Sequence, residues 1–268
     1  MMKIDSLPLE RIANRISQVL LTLPALCITL PTPAQEAPVK TISFSGYKWE
    51  VREQGVSGPG PNQWDPKNVR VDKEGSLHLK ISRVKGAKGD EWRCAELTSE
   101  KKFGFGQCEF KTVGSIDRFD RNIVLGLFDY PVSGQDPDGT NEIDIEFARW
   151  GKQQYPNGNF TIYPSEGARG KEDSNVFEYA LPHSSPKSLA THRFTRTKSQ
   201  VALATFAGEG KATEKPLSHW TYAPSEVRLI PQKPLSVHIN LWLFDGKAPS
   251  DGKEIEVVIK KFTFTPAP

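Results

Sequence analysis

The chain has 268 residues, long enough for one large all-β domain or two small ones. Thirty-five Lys and Arg stand against 32 Asp and Glu, and the resulting net charge of +3 comes with no long basic run, which argues against nucleic acid or a membrane surface as the main partner. Aromatic residues at 10%, with 21 Gly and 21 Pro, suit short strands joined by many turns.

Residues 1–34 differ from the rest. Lys3, Arg11 and Arg15 give a positive start, and residues 19–30 form an apolar run too short to span a bilayer. Thr32-Pro33-Ala34 supplies small residues where a signal peptidase cuts. A cleaved secretory signal peptide over 1–34 is the expectation, with a retained membrane anchor as the alternative. Leu26 before Cys27 argues against a lipoprotein. The mature protein would then be secreted or periplasmic, with no membrane association. Residues 35–40 read as a short Pro- and Ala-containing linker, and residues 41–268 as one domain.

Removal of the leader leaves Cys94 and Cys108 in a compartment where disulfides persist. The stretches around them, 93–98 and 105–111, read as strands joined by a short turn. A hairpin would set the two cysteines opposite each other, so a Cys94–Cys108 bridge is expected; the alternative is two separate buried thiols. Alternating runs recur along the chain at Ser76-Leu77-His78-Leu79-Lys80-Ile81, Val237-His238-Ile239-Asn240-Leu241-Trp242 and Glu254-Ile255-Glu256-Val257-Val258-Ile259. Turn clusters separate them at 58–62, 129–140, 156–158 and 246–252. No helical period of useful length is visible after the leader. This pattern predicts an all-β antiparallel sandwich or jelly roll.

The most informative segment is Glu142-Ile143-Asp144-Ile145-Glu146-Phe147. Period two places Glu142, Asp144 and Glu146 on one face of a strand and Ile143, Ile145 and Phe147 on the other. Three adjacent carboxylates repel one another, which is costly for stability and useful for chemistry. One can ionise readily as a nucleophile while its neighbours' charge keeps another protonated as a general acid. A straight strand separates the Cα atoms of Glu142 and Glu146 by roughly 13 Å. A retaining glycosidase needs its carboxyl groups about 5–5.5 Å apart, so two long Glu side chains must lean together on a curved sheet. Two other readings remain open: a solvated acidic strand face, and a calcium site using Asp136, Asp138, Glu142 and Asp144 with the loop at 135–141.

With these features together, the chain resembles glycoside hydrolase family 16, which includes lichenases, laminarinases, agarases, carrageenases and xyloglucan transglycosylases. The likeness rests on residues 91–111, on Asn141 through Phe147, on Thr191-His192-Arg193-Phe194 and on Ile239-Asn240-Leu241-Trp242, in the family's order. It implies a curved β-sandwich with a carbohydrate cleft on its concave face. Glu142 would be the nucleophile, Glu146 the general acid/base, and Asp144 an assisting acid. The single residue between Asp144 and Glu146 is similar to the bulge-free motif of lichenases and xyloglucan enzymes. Glu96, Phe128, Tyr130, Asn240 and Trp242 match cleft positions, and Asn62 and Trp92 would sit on the rim. Phe128 alone reads as core rather than cleft. His192 would be either a proton shuttle or a satisfied structural residue. Thr140, Thr98 and Arg196 stand where lichenases carry Trp, Arg and Trp, and these differences concern substrate binding. The expected activity is endo-hydrolysis of a β-1,3-1,4- or β-1,3-glucan with retention. A transglycosylase and a glycan-binding or cell-wall protein on the same fold are the alternatives. No cofactor is expected, structural calcium remains open, the partner would be a polysaccharide, and the protein would be a monomer.

Overall fold

In the computed structural model the described residues are 39–86, 89–131, 136, 139–165 and 174–268. The predicted signal peptide, 1–34, and linker residues 35–38 lie outside them. The strands in chain order are β1 (Thr41–Phe44), β2 (Tyr47–Val51), β3 (Gly55–Ser57), β4 (Asn62–Trp64), β5 (Val69–Val71) and β6 (Leu77–Gly86). Next come β7 (Gly89–Arg93), β8 (Ala95–Phe103), β9 (Gly106–Val113), β10 (Ile123–Tyr130), β11 (Glu142–Phe147) and β12 (Gly158–Tyr163). The last are β13 (Asn175–Tyr179), β14 (Leu189–Arg196), β15 (Val201–Ala207), β16 (Ser218–Tyr222), β17 (Leu235–Leu243) and β18 (Ile255–Pro266). Helix among the described residues is confined to single 3-10 turns, so none is long and apolar enough to cross a membrane.

Two antiparallel sheets face each other, as the alternation predicted. One runs β1-β2-β8-β17-β10-β11-β12-β13, and the other β16-β15-β14-β9-β18-β6-β5 with β7 on β6. Ile143, Ile145 and Phe147 of β11 are fully buried, as are Leu125 and Leu127 of β10 and Ile239 and Leu241 of β17. They pack in one core with Phe110, Phe194, Leu203 and Phe262 of the second sheet. Burying apolar area at roughly 25 cal/mol per Å² makes this face the main source of stability. A slip of one residue would turn that face outward, so the core fixes which side the acids occupy.

The predicted disulfide is not formed. Cys94 and Cys108 are both free and buried. The segments around them do not make a hairpin: β8 pairs with β2 and β17 in the first sheet, whereas β9 pairs with β14 and β18 in the second. The short turn between β8 and β9 is a crossing from one sheet to the other. Cys94 Sγ lies 3.3 Å from Asn62 Oδ1, and Cys108 sits within the inter-sheet core. Burial pushes the Cys94 thiol up to about 12 and the Cys108 thiol well above its ordinary value, so both stay protonated and unreactive. Dithiothreitol should leave Tm unchanged, and a thiol reagent should reach these two cysteines only after unfolding. A large drop in Tm on reduction would contradict the two-sheet separation.

An ion pair bridges the sheets. Arg196 of β14 lies 3.7 Å from Asp129 of β10, both almost fully buried. The Arg196 guanidinium also donates to the Phe103 carbonyl at 2.9 Å, which ties it to the β8–β9 crossing. Burial raises Asp129 to about 6 despite the arginine charge. Arg196→Met would leave that carboxylate alone in the core and should cost about 3–5 kcal/mol in urea unfolding, with much of the loss recovered in the Asp129→Leu/Arg196→Met double variant.

Candidate active site

β11 is hydrogen-bonded to β10 and β12, and the registers set the site as rows across the first sheet. One row is Glu96 of β8, Asn240 of β17, Gly126 of β10, Glu146 of β11 and Asn159 of β12. The next is Thr98, His238, Phe128, Asp144 and Thr161. Glu142 lies two residues further along β11, opposite Tyr163. These rows line a cleft of about 1140 Å³ whose walls include Arg52, Glu96, Phe128, Tyr130, Glu142, Asp144, Glu146, His238, Asn240 and Trp242. All three predicted acids therefore open on one cavity.

Their electrostatics differ. Burial raises Asp144 well above its ordinary value, and the adjacent Glu142 and Glu146 raise it further. Asp144 also shares a hydrogen bond with Glu142, so a protonated Asp144 hands its O–H to the Glu142 carboxylate. Burial pushes Glu146 up to about 7, against a hydrogen bond from Asn159 that favours the anion. Asn159 Nδ2 donates to Glu146 Oε2 at 3.0 Å. A carboxylic acid poised near neutrality is what proton transfer to a leaving group needs.

The other predicted cleft residues divide. Glu96 is buried and pairs with Arg52 at 2.6 Å, with His238 Nδ1 at 3.4 Å from its other oxygen. Burial opposes its ionisation, but His238 and Arg52 outweigh that and hold the carboxyl below its ordinary value. Phe128 is half-buried on the cleft wall, its ring stacked on His238 at 5.0 Å, with Tyr130 edge-on to the same imidazole at 5.9 Å. Asn240 accepts from the Gly126 N–H at 3.1 Å. Trp242 lies against Trp150, with ring centroids 6.2 Å apart.

Asn62 does not line the cavity. Its amide donates to the carbonyls of Pro59 at 2.6 Å and Leu243 at 2.9 Å, and its oxygen accepts from Leu243 N and Cys94 Sγ. A fully bonded, buried amide fixes the loop that forms one wall and has nothing left for a sugar. Trp92 also lies away from the cleft, beside Arg83 on the second sheet. His192 is in the inter-sheet core, bonded to Thr112 at 2.9 Å and Thr205 at 3.2 Å, with Phe147 packed on its ring. Burial lowers it to about 3, so it stays neutral and structural. Thr140 is buried just ahead of β11, and Thr98 bonds His238 at 3.0 Å.

Four site residues escaped the sequence reading. Arg52 stacks over Trp64 at 4.3 Å while pairing with Glu96. His238 stands in the cleft wall with its Nε2 buried and lacking a partner among the described residues. Asn159 holds the Glu146 carboxyl. Gly126 lies between Glu146 and Asn240, where an added Cβ would come within 2.5 Å of Asn240 Oδ1. A mid-strand glycine flanked by apolar residues was the one available signal, since it marks close approach of another group.

The loop of the alternative calcium reading is only partly described: Gln135 and Asp138 lie outside the described residues. Asp136 contacts Lys233 Nζ and accepts from Asn141 at 2.9 Å. Among the described residues no group of three or more His, Cys, Asp or Glu side chains is arranged to hold a metal.

No family model and no curated protein matches this chain by sequence. Solved structures do match in fold. Bacillus licheniformis β-glucanase superposes with a TM-score of 0.59 at 19% identity, over 87% of this chain and 100% of that one. The laminarinase catalytic domain of Thermotoga maritima gives 0.57 at 14% identity, over 77% and 83%. An immunostimulatory antigen of Mycobacterium tuberculosis described as a pseudo β-1,3-glucanase gives 0.57 at 15%, over 82% and 91%. The chain thus has the jelly-roll fold of the β-glucanases, as the family resemblance implied.

The raised acids make stability depend on pH with a definite sign. Glu146 titrates at about 7 in the fold against an ordinary 4.5, so the folded state binds more protons in that window. Its contribution is fully present below about 4.5 and is lost as pH rises through about 7. Glu146→Gln carries no such proton. Its urea midpoint should gain on the wild type as pH rises across the window, and a constant difference would refute the assignment.

Proposed function

We propose that this protein is a retaining, endo-acting β-glycosidase of the family 16 type, working on an internal bond of a β-glucan. The observation that carries the reading is the cleft row of Glu142, Asp144 and Glu146, with Glu146 held near neutrality. Glu142 attacks the anomeric carbon as the Glu146 proton passes to the departing glycosidic oxygen. The bond from the anomeric carbon to the leaving oxygen breaks, and an ester to Glu142 forms. Glu146, now ionised, takes a proton from water as its oxygen adds to that carbon, and the ester opens with net retention. Asp144 steadies Glu142 through their shared hydrogen bond. No cofactor takes part in these steps.

The cleft favours an uncharged polymer. Its described lining has seven carboxyl groups (Glu50, Glu53, Glu96, Glu100, Glu142, Asp144 and Glu146) against Arg52 and Lys102. That balance repels sulfated or uronic polysaccharides and leaves neutral glucans acceptable. Phe128, Tyr130 and Trp242 provide flat apolar surfaces for pyranose rings, and the polar groups around them fix orientation. Residues 1–34 support export of the enzyme, where such polymers are found.

Transfer to a sugar acceptor shares the same ester and is the closest alternative. Binding without turnover is the second, brought forward by the pseudo-glucanase fold relative. The intact acid row speaks for turnover. Reducing ends should appear from mixed-linkage β-glucan or laminarin and not from carrageenan, and Glu142→Gln and Glu146→Gln should each lower kcat by at least about a thousandfold with the fold intact. Longer products on adding an oligosaccharide acceptor would shift the reading to transfer. Silence from folded wild-type protein across neutral glucans would remove it.

A further inference from the structure

Glu146 is held by a chain of hydrogen bonds that begins outside the acid row. Trp150 Nε1 donates to Asn159 Oδ1 at 3.2 Å, and Asn159 Nδ2 donates to Glu146 Oε2 at 3.0 Å. Asn159 Nδ2 also lies 3.1 Å from Thr161 Oγ1. An amide can turn end for end, presenting either its N–H groups or its carbonyl to a neighbour. Thr161 does not choose between these, because a hydroxyl both donates and accepts. Trp150 does choose, because an indole N–H only donates. It holds the Asn159 carbonyl toward itself, which turns the amide N–H toward Glu146.

The placement of Trp150 is itself unusual. It has φ 49°, a left-handed conformation that a bulky residue adopts at a cost, in the turn directly after β11. Its ring is gripped by Phe244 at 5.6 Å and Trp242 at 6.2 Å. Strain of this kind persists where the surroundings over-determine it, often beside functional groups.

We propose that Trp150 is a positioning residue for the general acid: its indole N–H sets the Asn159 amide, and the amide sets the proton on Glu146. This rests on the reading of Glu146 as acid/base. Removing the indole N–H frees Asn159 to turn. Either the donor to the Glu146 carboxylate weakens, or the amide carbonyl accepts from the protonated acid. Both outcomes favour the protonated form and move the titration of Glu146 upward. The other charged or titratable groups around Glu146 are Asp144 and Glu142 on its own strand. Beyond β12 stand Tyr179 and Glu178 of β13, the latter bonded by the Tyr155 hydroxyl. On the β10 side Gly126 has no side chain and Asn240 is uncharged. Trp150→Phe alters none of these groups and keeps a ring between Phe244 and Trp242.

The test is a carbon-13 NMR titration of the Glu146 carboxyl in the full chain, assigned by its loss in Glu146→Gln. In Trp150→Phe the midpoint should rise by roughly half a unit to one unit. Asn159→Ala should raise it similarly, and the double variant should rise no further than Asn159→Ala alone, because both act through one amide. If Phe does not fold, Trp150→Leu deletes the same N–H without adding a donor. An unmoved midpoint in a folded variant, or additive shifts in the double, would overturn the proposal. Where the wild type turns over a glucan, the alkaline limb of its kcat profile should move up with the NMR midpoint, and a stationary limb beside a shifted midpoint would remove the catalytic role. A wild type without turnover would defeat the proposed activity, while the NMR midpoint would still decide the Trp150–Asn159–Glu146 linkage.

Discussion

Three carboxyl groups two residues apart on one strand face are the constraint around which this molecule is arranged. Left to themselves they would drive the strand apart or turn it toward water. The opposite face of β11 prevents this, because Ile143, Ile145 and Phe147 are fully buried against the second sheet. The acids therefore share a confined cleft: burial, with the charge of Glu142 and Glu146, raises Asp144 well above its ordinary value, and burial raises Glu146 to about 7. Under the proposed function, the burial that raises Glu146 supplies a proton donor on the same strand face as the nucleophile.

This much was legible because it is local. Alternation within six residues gives the strand, its two faces and the candidate chemistry together. The groups that complete the site are neighbours only through pairing between strands distant in sequence. Arg52 and Glu96 meet across 44 positions, and His238 reaches Glu96 across 142. No spacing rule links such residues; only the order β2-β8-β17-β10-β11-β12 does.

The failed disulfide has the same root. Two strands joined by a short turn usually form a hairpin, and the sequence around Cys94 and Cys108 has that pattern. Here the second strand leaves for the other sheet, and Arg196 stabilises the crossing by donating to the Phe103 carbonyl at 2.9 Å. Asn62 failed for a related reason. An Asn near a cleft offers a sugar ligand and a loop brace the same four hydrogen-bonding sites, and here Pro59, Leu243 and Cys94 occupy them.

One position that departs from the lichenase pattern, Thr98, is built into the cleft wall. Thr98 is uncharged where an arginine would carry a cation, but it bonds His238, and Arg52, directly after β2, pairs with Glu96. The cleft consequently has one end where charge is fixed and one where it titrates. At the Glu96 end, Arg52 and His238 outweigh the cost of burial and hold the carboxyl ionised. At the Glu146 end, no cation approaches among the described residues; Asn159, a neutral amide, is the partner, and the acid stays close to balance. An arginine in place of Asn159 would hold Glu146 as an anion and, under the proposed mechanism, remove the proton that the leaving group requires. Uncharged Asn240 and bare Gly126 stand in the row between the two ends, so one sheet keeps an ionised carboxyl at Glu96 apart from a titrating one at Glu146.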